Sequence, residues 1–118
     1  MGFQFQLSAN NAFGQVKLVG RIISVEGLDE LMQAFEGELK KCKLWSCDLS
    51  ELTFCNSSGL NILIRLLTKA RNNGGDFVLF SLQPNVYELF KRSKLIEVFQ
   101  IFENKEEAIQ LLEQISEK

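Results

Sequence analysis

The sequence predicts an α/β fold: a mostly parallel central sheet, opened by an N-terminal antiparallel hairpin and packed against about four helices. Three observations carry this reading. Segments with the two-residue period of strands alternate along the chain with segments of the 3.6-residue helical period. The first two strand-like segments follow one another with only an Asn-Asn turn signal between them. The stretches at residues 44–49 and 77–80 are apolar nearly throughout, as strands covered on both faces are. With 46% hydrophobic and 24% charged residues, a single proline and no low-complexity run, the composition is that of a globular chain. One domain over residues 1–118 is expected, and a chain of this length buries roughly two thirds of its unfolded surface without needing a staple.

Each element follows in order. Phe3, Phe5 and Leu7 alternate with Gln4, Gln6 and Ser8, giving a half-buried strand. Asn10-Asn11 marks the turn, and Val16, Leu18 and Ile22 then alternate with Gln15, Lys17 and Arg21. Gly20 interrupts this second strand, so a bulge or bend is expected there, curling the segment up to Ser24 toward a helix. From about residue 25 to 41, Leu28, Leu31, Met32, Phe35 and Leu39 form the apolar stripe of an amphipathic helix that packs on the sheet. Residues 44–49 are the central strand, and residues 51–54 are a short connector expected to carry Leu52 and Phe54 inward.

The connector delivers the chain to Asn56-Ser57-Ser58-Gly59-Leu60. A helix is predicted from residue 58 to about 72, with Leu60, Leu63, Ile64, Leu67 and Ala70 on one face, widened by Ile62 and Leu66. Asn61, Arg65, Thr68, Lys69 and Asn72 remain for solvent or a partner. Asn72-Asn73-Gly74-Gly75 ends that helix with residues that tolerate positive φ, and residues 77–80 form the next strand. Pro84 opens a helix running to about residue 92, with Val86, Leu89 and Phe90 inward. Residues 98–102 are predicted as a last short strand. Asn104 with Glu107 then reads as a capping box, opening a helix whose buried stripe is Ala108, Leu111, Leu112 and Ile115. In this β-β-α-β-α-β-α-β-α order the loops after the parallel strands share one edge, where open α/β sheets meet ligands and partners, and Ser57 and Ser58 fall on it.

Several chemistries are excluded. The chain has no histidine, which removes Ser-His and Cys-His nucleophile pairs and histidine metal sites, and no G-x-S-x-G elbow or Walker-type loop is present. Asp48 alone stands near the place where a receiver-like domain clusters carboxylates for Mg²⁺, and it is read as structural. A nucleotide or lipid binder finds no Gly-rich phosphate cradle before a basic residue. No enzyme activity, no metal and no cofactor are therefore expected. Cys42, Cys47 and Cys55 are odd in number and lack a C-x-x-C pair, so they read as reduced thiols that pack as small hydrophobes. A net charge of −2 argues against nucleic acid and anionic membranes as partners. With no signal-peptide pattern and no apolar run near the roughly 20 residues of a membrane span, direct membrane insertion is not expected and a cytoplasmic location is.

The junction at Ser57 and Ser58 is where the chemistry concentrates. A hydroxyl at a helix start accepts from backbone amides that lack helical partners, so the serines are expected to cap the helix. The same partial positive charge and pointing amides also welcome a phosphate.

Asp48-Leu49-Ser50, Leu52, Phe54 and Ser57-Ser58-Gly59-Leu60 together resemble the D-L-S-x-L-x-F-x-D-S-x-G-L signature of the STAS family, the sulphate-transporter and anti-sigma-factor-antagonist domain. The resemblance extends over nearly the whole chain through Gly20, Asn73-Gly74-Gly75, Pro84, Leu89-Phe90 and Glu107-Ala108. It implies a STAS-like fold and a non-catalytic interaction module of the anti-sigma factor antagonist type. Such a module binds an anti-sigma factor that is itself a serine kinase, is released when that partner phosphorylates it, and is reset by a phosphatase. By position the phosphoacceptor is Ser57, with Asn56, Ser58, Gly59, Leu60 and Asn61 forming the phosphosite loop and partner surface. Asn56 stands where the family usually has Asp, and Gly20-Arg21-Ile22-Ile23 where it has G-E-L-D. Those two departures favour an alternative, a STAS adaptor or structural subunit that is not phosphorylated, working beside a transport ATPase or in a signalling scaffold.

Overall fold

Strands β1 (Phe3–Ala9) and β2 (Phe13–Ile22) form the antiparallel hairpin, with Phe3, Phe5 and Leu7 facing Gly20, Leu18 and Val16. The computed structural model describes residues 2–10 and 12–116. Asn11, the second residue of the predicted turn, lies outside them. The Asn10 Oδ1 accepts from the amides of Ala12 and Phe13 at 2.8 Å each, which holds the turn closed. The remaining elements are α1 (Leu28–Glu38), β3 (Leu44–Cys55), α2 (Ser57–Asn72), β4 (Asp76–Phe80), α3 (Pro84–Arg92), a 3₁₀ turn (Leu95–Glu97), β5 (Ile101–Phe102) and α4 (Lys105–Ser116). Strand order is β1-β2-β3-β4-β5, and every pair after the first is parallel.

This order decides where the helices lie. Each parallel strand is added on the same side of the last, and right-handed crossovers in one direction put their connecting helices on one face. Leu31 and Phe35 of α1, Leu63 and Leu66 of α2 and Phe90 of α3 accordingly pack in one core with Val16, Leu18, Trp45, Cys47, Leu49, Phe77 and Leu79 of the strands. Phe35 lies at its centre, with ring centroids 4.8 Å from Trp45 and 5.8 Å from Phe77. The opposite face is left to α4, where Ala108 and Leu112 cover Leu44, Val78 and Phe80. Over β1 and β2 that second face carries Gln4, Gln6, Ser8, Gln15 and Lys17, and Lys105 and Ile109 of α4 come up beside Ser8 and Gln15.

Three elements depart from the sequence expectations. Helix α1 begins at Leu28 rather than near residue 25, because Ser24 to Gly27 form a turn in which the Ser24 hydroxyl accepts from the Glu26 amide and Gly27 takes φ +84°. Residues 51–54 are not a connector: they continue β3 as far as Cys55. Two register shifts against β2, one beyond Lys17 and one beyond Gly20, each place an extra residue on β3. A bulge of this kind exchanges the faces of all that follows. The inward sequence therefore runs Cys47, Leu49, Leu52, Cys55, and Phe54, expected inward with Leu52, is 41% exposed. Finally, the last strand is only Ile101–Phe102. Val98 and Phe99 both donate their amides to the Leu95 carbonyl, so residues 95–98 are coiled into a turn and Val98 faces solvent.

Candidate functional site

The site is built where β3 ends and α2 begins. The bulge opposite Gly20, whose φ of +103° suits glycine, bends the end of β2 so that Ile22 and Ile23 run beside Cys55 and Asn56. Asn56 joins the two segments. Its amide donates to the Ile22 carbonyl at 3.1 Å, its side-chain NH₂ donates to the Ile23 carbonyl at 2.9 Å, and its Oδ1 accepts from the Ser58 amide at 2.9 Å. The N-cap of α2 is therefore Asn56, and the serines, expected to cap the helix, do not. Asn is among the strongest N-cap residues, and here its amide oxygen serves the helix while its NH₂ serves the neighbouring strand, a donor that a carboxylate lacks.

Displaced from capping, Ser57 occupies the first helical position with its side chain exposed, and Ser58 follows half-buried. Gly59 is buried against the strand: a Cβ there would lie 2.6 Å from Cys55 Cβ and 3.3 Å from its Sγ, so only glycine lets α2 approach this closely. Leu60 is also buried, and its amide donates to the Asn56 carbonyl. The amides of Ser58 and Leu60 are thus committed within the turn, and among the described residues Gly59 is the one of these three whose amide finds no acceptor. Asn61 faces outward, one turn beyond Ser57. A shallow groove beside it is lined by Val25, Leu28, Ser58, Asn61, Ile64 and Arg65, with Arg65 its one charged group.

Sequence reasoning missed the apolar part of this edge. Ile23 is 50% and Val25 74% exposed, and both flank the serine loop together with Phe54. The Arg21 guanidinium sits 5.3 Å from the centroid of the Phe54 ring, a cation–π contact. Ile23, standing where the family's G-E-L-D has its Asp, was the available signal.

The thiols are set apart from this chemistry. Burial pushes the Cys55 thiol up to about 11, and burial, then the neighbouring Asp48 charge, hold Cys47 well above the ordinary thiol range. Cys42 is raised as well, by burial and by Glu38. All three are buried and unbridged, and thiols so held neutral are poor nucleophiles. Asp48 uses its Oδ1 to accept from the Ser50 amide at 2.9 Å, fixing the first bulge of β3, as expected of a structural carboxylate. Among the described residues no three His, Cys, Asp or Glu side chains converge as a metal site, and no helix is long and apolar enough to cross a membrane.

A four-helix, five-stranded mixed sheet that ends its central strand in a capped, serine-bearing helix start defines a class of small α/β domains. Residues 9–108 match the STAS domain, and the chain belongs to that family. Among curated proteins it is similar to the Paenibacillus polymyxa anti-sigma F factor antagonist, 27% identical over 89 residues, spanning 75% of this chain and 72% of the relative. It is also similar to a Bordetella bronchiseptica protein named as an anti-sigma factor antagonist, BtrV, 31% identical over 61 residues. That match covers 52% of this chain and about half, 53%, of the relative's length.

Solved structures agree on the fold. The anti-sigma factor antagonist SpoIIAA in its unphosphorylated form superposes with a TM-score of 0.78 at 18% identity, covering 94% of this chain and 97% of the other. The Bacillus SpoIIAA in its phosphorylated form gives 0.72 at 18% identity, with 92% and 99% covered. The murine anion transporter Slc26a9 gives 0.74 at 13% identity, matching 91% of this chain to 18% of the transporter. The chain thus shares the STAS fold with these proteins over nearly its whole length.

Proposed function

We propose that residues 1–118 act as a single non-catalytic regulatory module, which binds an anti-sigma factor with serine kinase activity through the Ser57 edge and is switched by phosphorylation of Ser57. The observation that carries this reading is the freedom of the Ser57 hydroxyl: Asn56 does the capping, and Ser57 is left exposed at the first position of α2. The likeness to named antagonists supports the choice of partner. A phosphate here adds about −1.5 to −2 charges next to exposed Ile23, Val25 and Phe54. An apolar docking surface then acquires a hydrated dianion, and the partner is released. A phosphatase resets the module. Asn56, Ser58, Gly59, Leu60 and Asn61 shape the loop that the kinase and the partner read.

The test is peptide mapping by mass spectrometry across residues 54–65 of protein purified from its own cells. A phosphate on Ser57 is the expected result. With the partner in hand, Ser57→Asp weakens binding at least about 10-fold, equivalent to about 1.4 kcal/mol, while Ser57→Ala binds like the wild type. A second reading, an adaptor that is not phosphorylated, is favoured by the neutral Asn56 clamp on Ile23, which leaves the loop without the acidic residues usual in the family. Unmodified Ser57 under all growth conditions, together with full binding by Ser57→Asp, selects the adaptor and overturns the switch.

A further inference from the structure

We propose that two copies of this chain pair through the outer edge of β1, extending the sheet across a two-fold axis at Gln6. The argument begins with which main-chain groups face outward. The Arg21 amide donates to the Gly2 carbonyl at 2.8 Å and the Asn10 amide to the Phe13 carbonyl at 3.1 Å, in register with the Phe3 to Gly20 pairing. The even-numbered residues of β1 therefore spend their main-chain groups on β2, and Phe3, Phe5, Leu7 and Ala9 direct theirs away from the sheet. Among the described residues nothing pairs with them, because β1 is the edge of the sheet.

Edge strands in monomeric proteins are blunted by charge, proline, bulges or brevity. Strand β1, FQFQLSA, has none of these: it is seven residues long, uncharged, and in unbroken register with β2. At the opposite edge, β5 has only two residues. Beside β1 an open groove is lined by Phe3, Phe5, Gly27 and Glu30.

The strand is also its own complement. Antiparallel pairing about Gln6 sets Phe3 against Ala9 and Phe5 against Leu7 of the second copy, and all of these have outward main-chain groups, so every donor meets an acceptor. On the core face Phe5, half-buried within one chain, is covered by the second copy's Leu7. On the polar face Gln4 meets Ser8 and Gln6 meets Gln6, and no like charges oppose. Glu26 lies at the Phe3 end of the strand, so the axis carries the two copies of it apart. This self-complementarity of β1 is what assigns the site to a second copy.

Sedimentation equilibrium over a wide concentration range tests the pairing. The wild type is expected to move reversibly from 13.5 kDa toward twice that mass. Gln6→Cys is expected to form a disulfide-linked dimer on mild oxidation. Its two thiols face each other in a non-hydrogen-bonded pair, with Cα atoms about 4.5 Å apart, inside the disulfide range. The three native thiols are buried and do not compete. Gln4→Cys is expected to give no such dimer, since its counterpart lies four residues, about 13 Å, along the strand. Gln6→Glu faces Lys17 within its own hairpin and keeps the fold, as circular dichroism will show, but opposes its own carboxylate across the axis and stays monomeric. A wild type that remains at the monomer mass throughout, equal cross-linking of both cysteine variants, or a folded Gln6→Glu that still dimerises overturns the proposal.

Discussion

At the scale of single residues, the side chain of Asn56 holds the site together through two bonds of opposite polarity. Asn56→Ala removes the helix cap and leaves the Ile23 carbonyl without its donor, and is expected to lower unfolding free energy by about 2 kcal/mol. Asn56→Asp restores the family's usual residue and keeps the acceptor for the Ser58 amide, with a favourable charge at the helix start. It has no donor for Ile23, however, and sets an oxygen against an oxygen, so a loss of about 1 kcal/mol is expected. Urea unfolding should rank wild type above Asp and Asp above Ala; an aspartate variant as stable as the wild type would mean that the Ile23 bond contributes nothing.

Cys55 gives a pH dependence. Its thiol titrates near 9.0 in the unfolded chain and at about 11 when folded, so the folded state binds more protons between these values. The stability associated with the neutral thiol is fully present below pH 9 and is lost as pH rises toward 11. Urea midpoints of the wild type and Cys55→Ala, followed from pH 8 to 11, should show a steeper decline for the wild type.

At the scale of elements, the contact between α2 and β3 sets how much of the serine loop projects. Gly59→Ala forces a methyl group to within 2.6 Å of Cys55 Cβ on a strand in the middle of the sheet, where neither side can yield easily. Overpacking of this kind costs about 1–3 kcal/mol, and thermal unfolding should show it. The same strand marks what the sequence made legible. Its start, the serine loop and the whole of α3 were readable, because hydrophobic period, Pro84 and the loop motif are local signals. The far half of β3 was not. Strict alternation puts Leu52 and Phe54 on one face, and only the pairing with β2, more than 30 residues away, shows that a second bulge turns Phe54 out and Cys55 in. The cap was misread for a related reason: Asn56 competes with two serines for one role, and the distant Ile23 carbonyl decides between them. For the final strand, apolar residues 98 and 99 matched the period but were drawn into a turn by the Leu95 carbonyl.

At the scale of the whole molecule, the alternation of elements was enough to specify a parallel sheet, while the covering of its two faces depends on strand order, which no local pattern encodes. Because α1, α2 and α3 share one face, α4 is, among the described residues, the helix that shields Leu44, Val78 and Phe80 on the other. A chain stopped after residue 103 is therefore expected to retain the first core but to expose that second apolar face, and to be recovered as aggregates or as an ANS-binding species. Dispersed, ANS-silent material would show that α4 is dispensable.

The order β1-β2-β3-β4-β5 has a consequence for how the protein is made. Each strand finds its neighbour already synthesised, and none must wait for a segment still inside the ribosome. Among these elements the hairpin precedes the parallel strands, each later strand joins the growing edge, and the helix that seals the second face follows them all. The nascent chain is thus most exposed to association in the interval between the emergence of β4 and that of α4, and a chaperone that acts on this protein during synthesis would find its binding site in that window.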